Sequence, residues 1–194
     1  MMEKSPLVDQ VQISTTKQEY IDDFKSWAKS LSESNKKLLG MPTCPYAANA
    51  KVNFLVSDLS AMKMKLLPFI VMYEINHTDV YVVIDTNPDW VSPNRLEQWC
   101  DAYNEVYAYM DIYAMAFHPS YPPNEKEHEF LVDVEYESSN VPEYGMIFFQ
   151  SLSALEEASM ELEGKGYYRG WSKEYYEKLV GKRRELLWRV SRLS

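Results

Sequence analysis

Cysteine, histidine and long apolar runs are all scarce in this chain. Its 194 residues hold two cysteines, Cys44 and Cys100, and three histidines, His77, His118 and His128. Two cysteines are too few for a disulfide framework, so both read as reduced thiols and the expected compartment is the cytoplasm. The longest unbroken apolar run covers residues 66–73 and includes Pro68, which is too short for a membrane span. The opening stretch MMEKSPLVDQVQISTT has no basic start leading into an apolar core, which argues against an export signal. Internal repeats and low-complexity tracts are missing as well, so solenoid and propeller architectures are set aside.

Positive charge is also in short supply. The formal net charge is −9, yet from Ser172 onward seven Lys/Arg face three Asp/Glu, a local balance of +4 that leaves −13 on the rest. An acidic body with one basic terminal helix repels phosphate over most of its surface, which argues against nucleic acid as a partner. Only the last helix offers a foothold for it.

What the chain does have is apolar and aromatic bulk. At 46% hydrophobic and 14% aromatic composition it can bury one sizeable core, so a single soluble α/β domain over residues 1–194 is expected. Residues 1–15 read as a flexible lead-in, and 165–194 as a connector followed by a basic amphipathic helix. Thr16 and Glu19 have capping-box spacing, and Tyr20, Phe24, Trp27 and Leu31 share a face, predicting a helix over about 17–39 that stops at Gly40. VNFLVS at 52–57 is a strand candidate. The pattern from Asp58 to Tyr73 is helical, with Pro68 either kinking the helix or ending it and turning 69–75 into a strand.

DVYVVID at 79–85 is a strand covered on both faces. Ser92 and Pro93 start a helix to about Tyr109, whose inner face is Leu96, Trp99, Cys100, Tyr103, Val106, Tyr107 and Met110. DIYAMAF at 111–117, FLVDVEY at 130–136 and GMIFFQ at 145–150 are further strands. Ser153 and Glu156 would cap a helix ending at Gly164. A last helix would start at Ser172, stapled by Trp171 and Tyr176, and dock by Tyr176, Leu179, Leu186 and Val190.

A strand, helix, strand, helix, strand order makes a parallel core within a mixed sheet, with the strands' carboxyl ends on one rim. That rim collects Ser57, Asp58, Asp85, Asn87 and His118, and rims of this kind carry ligand sites. His118 is therefore a candidate acid/base or metal ligand, although a histidine that merely closes a strand before Pro119 fits equally well. His77 and Asp79 have the HxD spacing of a facial metal triad but fall on the opposite edge. Cys100 lies on an apolar helix face, where packing explains it. The acidic run Glu125 to Glu137 alternates like the solvated face of an extended segment.

Three ordered segments, CPYA at 44–47, FHPSY at 117–121 and VPEYG at 141–145 ahead of SLSALEEA, resemble an uncharacterised bacterial domain family of unknown function with CPFA, FHPxY and SPYP motifs. The likeness spans roughly residues 20–160, departs at Tyr46 and in the third motif, and brings no activity with it. It implies that Cys44, Pro45, His118, Pro119, Tyr121, Pro142 and Tyr144 are signature positions. If Cys44 and His118 met, the pair would suit an activated thiolate or a divalent transition metal with His128 completing the set. Asp85 would then be the orienting carboxylate and Tyr121 a hydrogen-bond donor. The opposing reading leaves Cys44 as a small buried apolar residue.

Two functions of different class follow. One is a small-molecule enzyme or metal-assisted site using the Cys44/His118 pair. The other is a noncatalytic interaction module, binding a protein partner or a second copy through its aromatic surface and basic last helix.

Overall fold

A computed structural model of the chain describes residues 6–34, 42, 44–47, 49–59, 67–87, 91–120 and 142–192, with side chains of the first helix described from Lys17. Helix α1 (Pro6–Leu31) is followed by β1 (Val52–Ser57), α2 (Leu67–Glu74), β2 (Val80–Asp85), α3 (Pro93–Tyr107), β3 (Ile112–Phe117), β4 (Met146–Ser151) and α4 (Leu152–Gly164). The last helix, α5 (173–190), joins two α segments through a π turn at Glu177–Gly181.

Among the described residues the sheet has four strands in the order β1-β2-β4-β3. β1 and β2 pair parallel, with Val52 opposite Val80 and Ser57 opposite Asp85. β4 is antiparallel to both β2 and β3. The fold is α/β with a mixed sheet, as expected. β1, β2 and β3 do run in one direction, but β4 lies between β2 and β3, so parallel hydrogen bonding is confined to β1 and β2. The chain that leaves β3 returns at the same rim and fills the gap in reverse.

Alternation along the strands supplies two apolar faces. Tyr81, Val83, Ile112, Ala114, Ile147 and Phe149 pack under α2 and α3 with Leu67, Val71, Leu96, Cys100 and Tyr103. Val82, Ile84 and Met146 face the other way onto Phe24 of α1, with Phe54, Trp27 and Phe148 around them. Val82, Val83 and Ile84 have no exposed surface, each contributing roughly 1.5–3 kcal/mol by burial. A third cluster, Ala108, Leu152 and Leu186, fastens α4 and α5 to the end of α3.

Several sequence expectations are corrected. Thr16 and Glu19 lie inside α1, which begins ten residues earlier at Pro6 and ends at Leu31 instead of Leu39. Of the two readings left open for 69–75 the helical one holds over 69–74, and only the place of Pro68 changes: it sits in the first turn of α2, where its missing N–H costs nothing. Val106 is 55% exposed. Ser151, one residue past the predicted end of β4, is the N-cap of α4 and accepts from Ala154 N at 3.1 Å. In α5 the π turn adds a residue to one turn, so Val180 replaces Leu179 on the buried side. The strand expected at 130–136 lies outside the described residues.

Candidate functional site

The rim formed by the ends of β1, β2 and β3 is tied together by two buried polar side chains. Asp85 closes β2 and is 3% exposed. Its Oδ1 accepts from Leu59 N at 3.1 Å and from Asn87 N at 3.0 Å, fixing both the chain leaving β1 and its own turn. Burial raises its pKa above the ordinary carboxylate value. The two amides and, more weakly, His118 pull it back, while Asp58 adds to the rise.

His118 follows β3 and is 6% exposed. Ser120 N donates to its Nδ1 at 3.0 Å, which places the proton on Nε2, and Nε2 donates to Val91 O at 3.0 Å. The ring thus bridges its own turn to the segment before α3. A ring bonded in this way has a nitrogen to offer a substrate only after one of these bonds opens.

Asp85 and His118 are brought together around Gly145. A side-chain carbon at 145 would lie 3.6 Å from His118 Cδ2 and 3.8 Å from Asp85 Cβ, and Asp85 N donates to Gly145 O at 2.9 Å. Next to it, Tyr144 packs on Tyr20 with ring centroids 4.5 Å apart and donates to Asp23 Oδ2 at 2.8 Å. The start of β4 is thereby pinned to α1. The crevice beneath it, lined by Asp23, Trp27, Pro142 and Tyr144, has a volume of only about 10 Å³.

Cys44 is held by different neighbours. Its N–H donates to Leu31 O at 2.8 Å at the end of α1, and it lies near enough to Tyr167 to influence that hydroxyl. Burial pushes the Cys44 thiol up, against weaker opposing pulls from the Tyr46 and Ala47 amides. Tyr46, from the same CPYA segment, docks on α4 by donating to Glu161 Oε2 at 3.1 Å. No hydrogen bond joins Cys44 to His118 among the described residues. Tyr121 and His128 lie outside them. Cys100 is buried in the core, its thiol pushed up to about 12 chiefly by burial.

For a metal, the donor set is thin. Among the described residues no three His, Cys, Asp or Glu side chains gather to hold an ion. His77 and Asp79 are spent on the backbone: His77 Nδ1 donates to Tyr73 O at 2.9 Å, and Asp79 Oδ2 accepts from Lys51 N at 2.7 Å.

The basic last helix turns its charge inward. Lys178, Lys182 and Arg189 of α5 pair with Glu97, Asp101 and Glu105, which are spaced by four along α3, at 3.3, 2.7 and 2.8 Å. Arg183 and Arg184 converge on the buried Glu156, and Arg184 also reaches Glu163 at 2.8 Å. Two cations of this region, Arg169 and Lys173, have no ion-pair or hydrogen-bond partner among the described residues, and both line a cleft. It has a volume of about 320 Å³ and is completed by Glu163, Tyr168, Trp171 and Tyr176. The GYYRGWSKEYY stretch signalled aromatics and cations together, whereas the pairing of Lys178, Lys182 and Arg189 further along depends on the folded position of α3.

Compared with protein-family models, with curated proteins and with solved structures, the chain matches none. No described helix is long and apolar enough to cross a membrane.

Proposed function

We propose that this chain is a noncatalytic binding module whose recognition surface is the aromatic cleft at 163–176. The observation that carries this reading is the contrast between two places. In the cleft, three rings and two cations with no partner among the described residues border an open depression. At the strand rim, Asp85 Oδ1 and both His118 nitrogens are committed to backbone groups. Concave, largely aromatic surface with a few polar groups is what ligand sites are made of. Polar side chains saturated by backbone are what hold loops in place.

On this reading, the segments resembling the uncharacterised family act as docking contacts: Cys44 and Tyr46 against α1 and α4, His118 across the rim, Tyr144 on α1. The Cys44/His118 enzyme is the weaker alternative, since a partly buried thiol whose pKa is raised makes little thiolate. The unbridged cysteines agree with a cytoplasmic setting.

A ligand-observed NMR screen of small ring compounds tests the proposal on the full chain, with Trp171→Ala and His118→Asn run in parallel. Hits should vanish in Trp171→Ala and persist in His118→Asn, an exchange that keeps the acceptor for Ser120 N. Hits that depend on His118 and ignore Trp171 would return the site to the rim.

A further inference from the structure

We propose that the cleft, on the reading just given, takes a planar ring carrying an anionic group, a nucleoside monophosphate being a simple example. The rings are arranged as walls. Trp171 and Tyr176 stand at 81° and 77° to Tyr168, with centroids 4.8 and 5.5 Å away. Trp171 also leans on Tyr175 at 4.6 Å, and Arg184 lies 5.8 Å from the Tyr176 ring centre, so a guest would meet only the sides of these rings that line the cleft. The walls are fixed from behind: Tyr168 shares a 2.8 Å hydrogen bond with the buried Ser159. Tyr176 donates to Glu163 at 2.9 Å and accepts from Arg184. Rings already held in place lose little freedom when a ligand arrives.

The sign of the guest follows from charge. Arg169 and Lys173 line the cleft without partners among the described residues, whereas Glu163, the one acid among the lining residues, is already paired with Arg184. Gly166 serves the same arrangement. It holds a left-handed φ of 81°, and a side-chain carbon there would come within 2.9 Å of Arg169 Nε, so glycine lets the Arg169 side chain lie against the turn. Three aromatic walls would also suit a quaternary ammonium, but two uncompensated cations facing the same space oppose it. Size limits the guest as well: about 320 Å³ is the small end of ligand cavities. The net charge of −9 disfavours a long polyanion.

Calorimetric titration of the full chain with adenosine and uridine monophosphates, the matching nucleosides, inorganic phosphate and tetramethylammonium tests this. At least one monophosphate should bind about tenfold more tightly than its nucleoside or phosphate alone. Trp171→Ala should weaken it by about tenfold, and Arg169→Gln with Lys173→Gln should bring it to the level of the nucleoside. Monophosphates no better than nucleosides would overturn the inference while leaving a cleft that binds rings, and preferential binding of tetramethylammonium would overturn it by showing that the cleft selects cations. No Trp171-dependent binding of any compound would remove both this inference and the binding-module reading.

Discussion

Asp85 shows how a residue can be legible as interesting and illegible in role. Its place at the end of an apolar strand can be read from DVYVVID, and so can its sharing a rim with His118. What the strand pattern does not disclose is that Oδ1 meets the amides of Leu59 and Asn87, because those donors are placed by loop geometry. The contrast between two substitutions follows. Asp85→Asn keeps an acceptor for both amides and sheds the charge that burial penalises, so at neutral pH it should be no less stable than the parent. Asp85→Ala strands two buried donors and should cost about 2–3 kcal/mol in urea unfolding. The pH dependence has a definite sign. A folded-state value raised above the ordinary 3.8 means that the folded chain holds the proton more tightly, so Asp85 weakens the fold as pH climbs from 3.8 to the raised value. The advantage of Asp85→Asn over the parent should therefore grow across that window and be absent below it. A constant difference at every pH would contradict the assignment. His118 is similar: the exit position is readable, the bond to Val91 O across the sequence is not.

At the scale of elements, periodicity did well where packing follows it. β1 begins and ends where VNFLVS does, and β2, β3 and β4 differ from their expected bounds by a residue. It failed where a local rule was outvoted. Pro68 starts a helix instead of breaking one, and the extra residue of the π turn re-aims α5. Most easily missed was Asn104, a polar residue on the buried face of an amphipathic helix. Its amide meets β3 as a strand would: Nδ2 donates to Ala114 O at 2.9 Å and Oδ1 accepts from Ala114 N at 2.6 Å. It thereby satisfies β3 on the side away from β4. Asn104→Ala should cost about 2–4 kcal/mol, since a cavity is added to two orphaned backbone groups. Asn104→Asp should fare badly too, because it replaces the donor to Ala114 O with an acceptor. Urea midpoints for the two variants, with the amide exchange of Ala114 followed by NMR, check this. An Ala114 amide still protected in Asn104→Ala would refute the clip.

For the molecule as a whole, composition anticipated an acidic body with a basic tail that could pair with it, and the folded positions of α3 and α5 decide which carboxylates take part. The ladder between α3 and α5 consists of half-exposed pairs, whose attraction is largely screened by water. The Glu156 group is different, since its side chain and that of Arg183 are both nearly closed off from solvent. Asp101→Asn is therefore expected to cost under about 1 kcal/mol. Glu156→Ala should cost about 3–5 kcal/mol by leaving guanidinium charge buried without its carboxylate. Equilibrium unfolding of both variants decides it, and equal losses would mean that the ladder, not the buried group, holds α5. Leu186 shares a cluster with Leu152 and Ala108, so α5 should unfold together with the sheet and not ahead of it.

The reversed strand at the centre of the sheet also sets a timetable. On the ribosome, β1 and β2 can zip together as soon as residue 85 has emerged, a local step across one short crossover. β2's other flank and β3's inner flank must wait for residues 146–151, which are made in the final quarter of the chain. Until then, two strands carry bare hydrogen-bonding margins open to pairing with a neighbouring nascent copy. Translation pausing between residues 120 and 145 would lengthen that exposure.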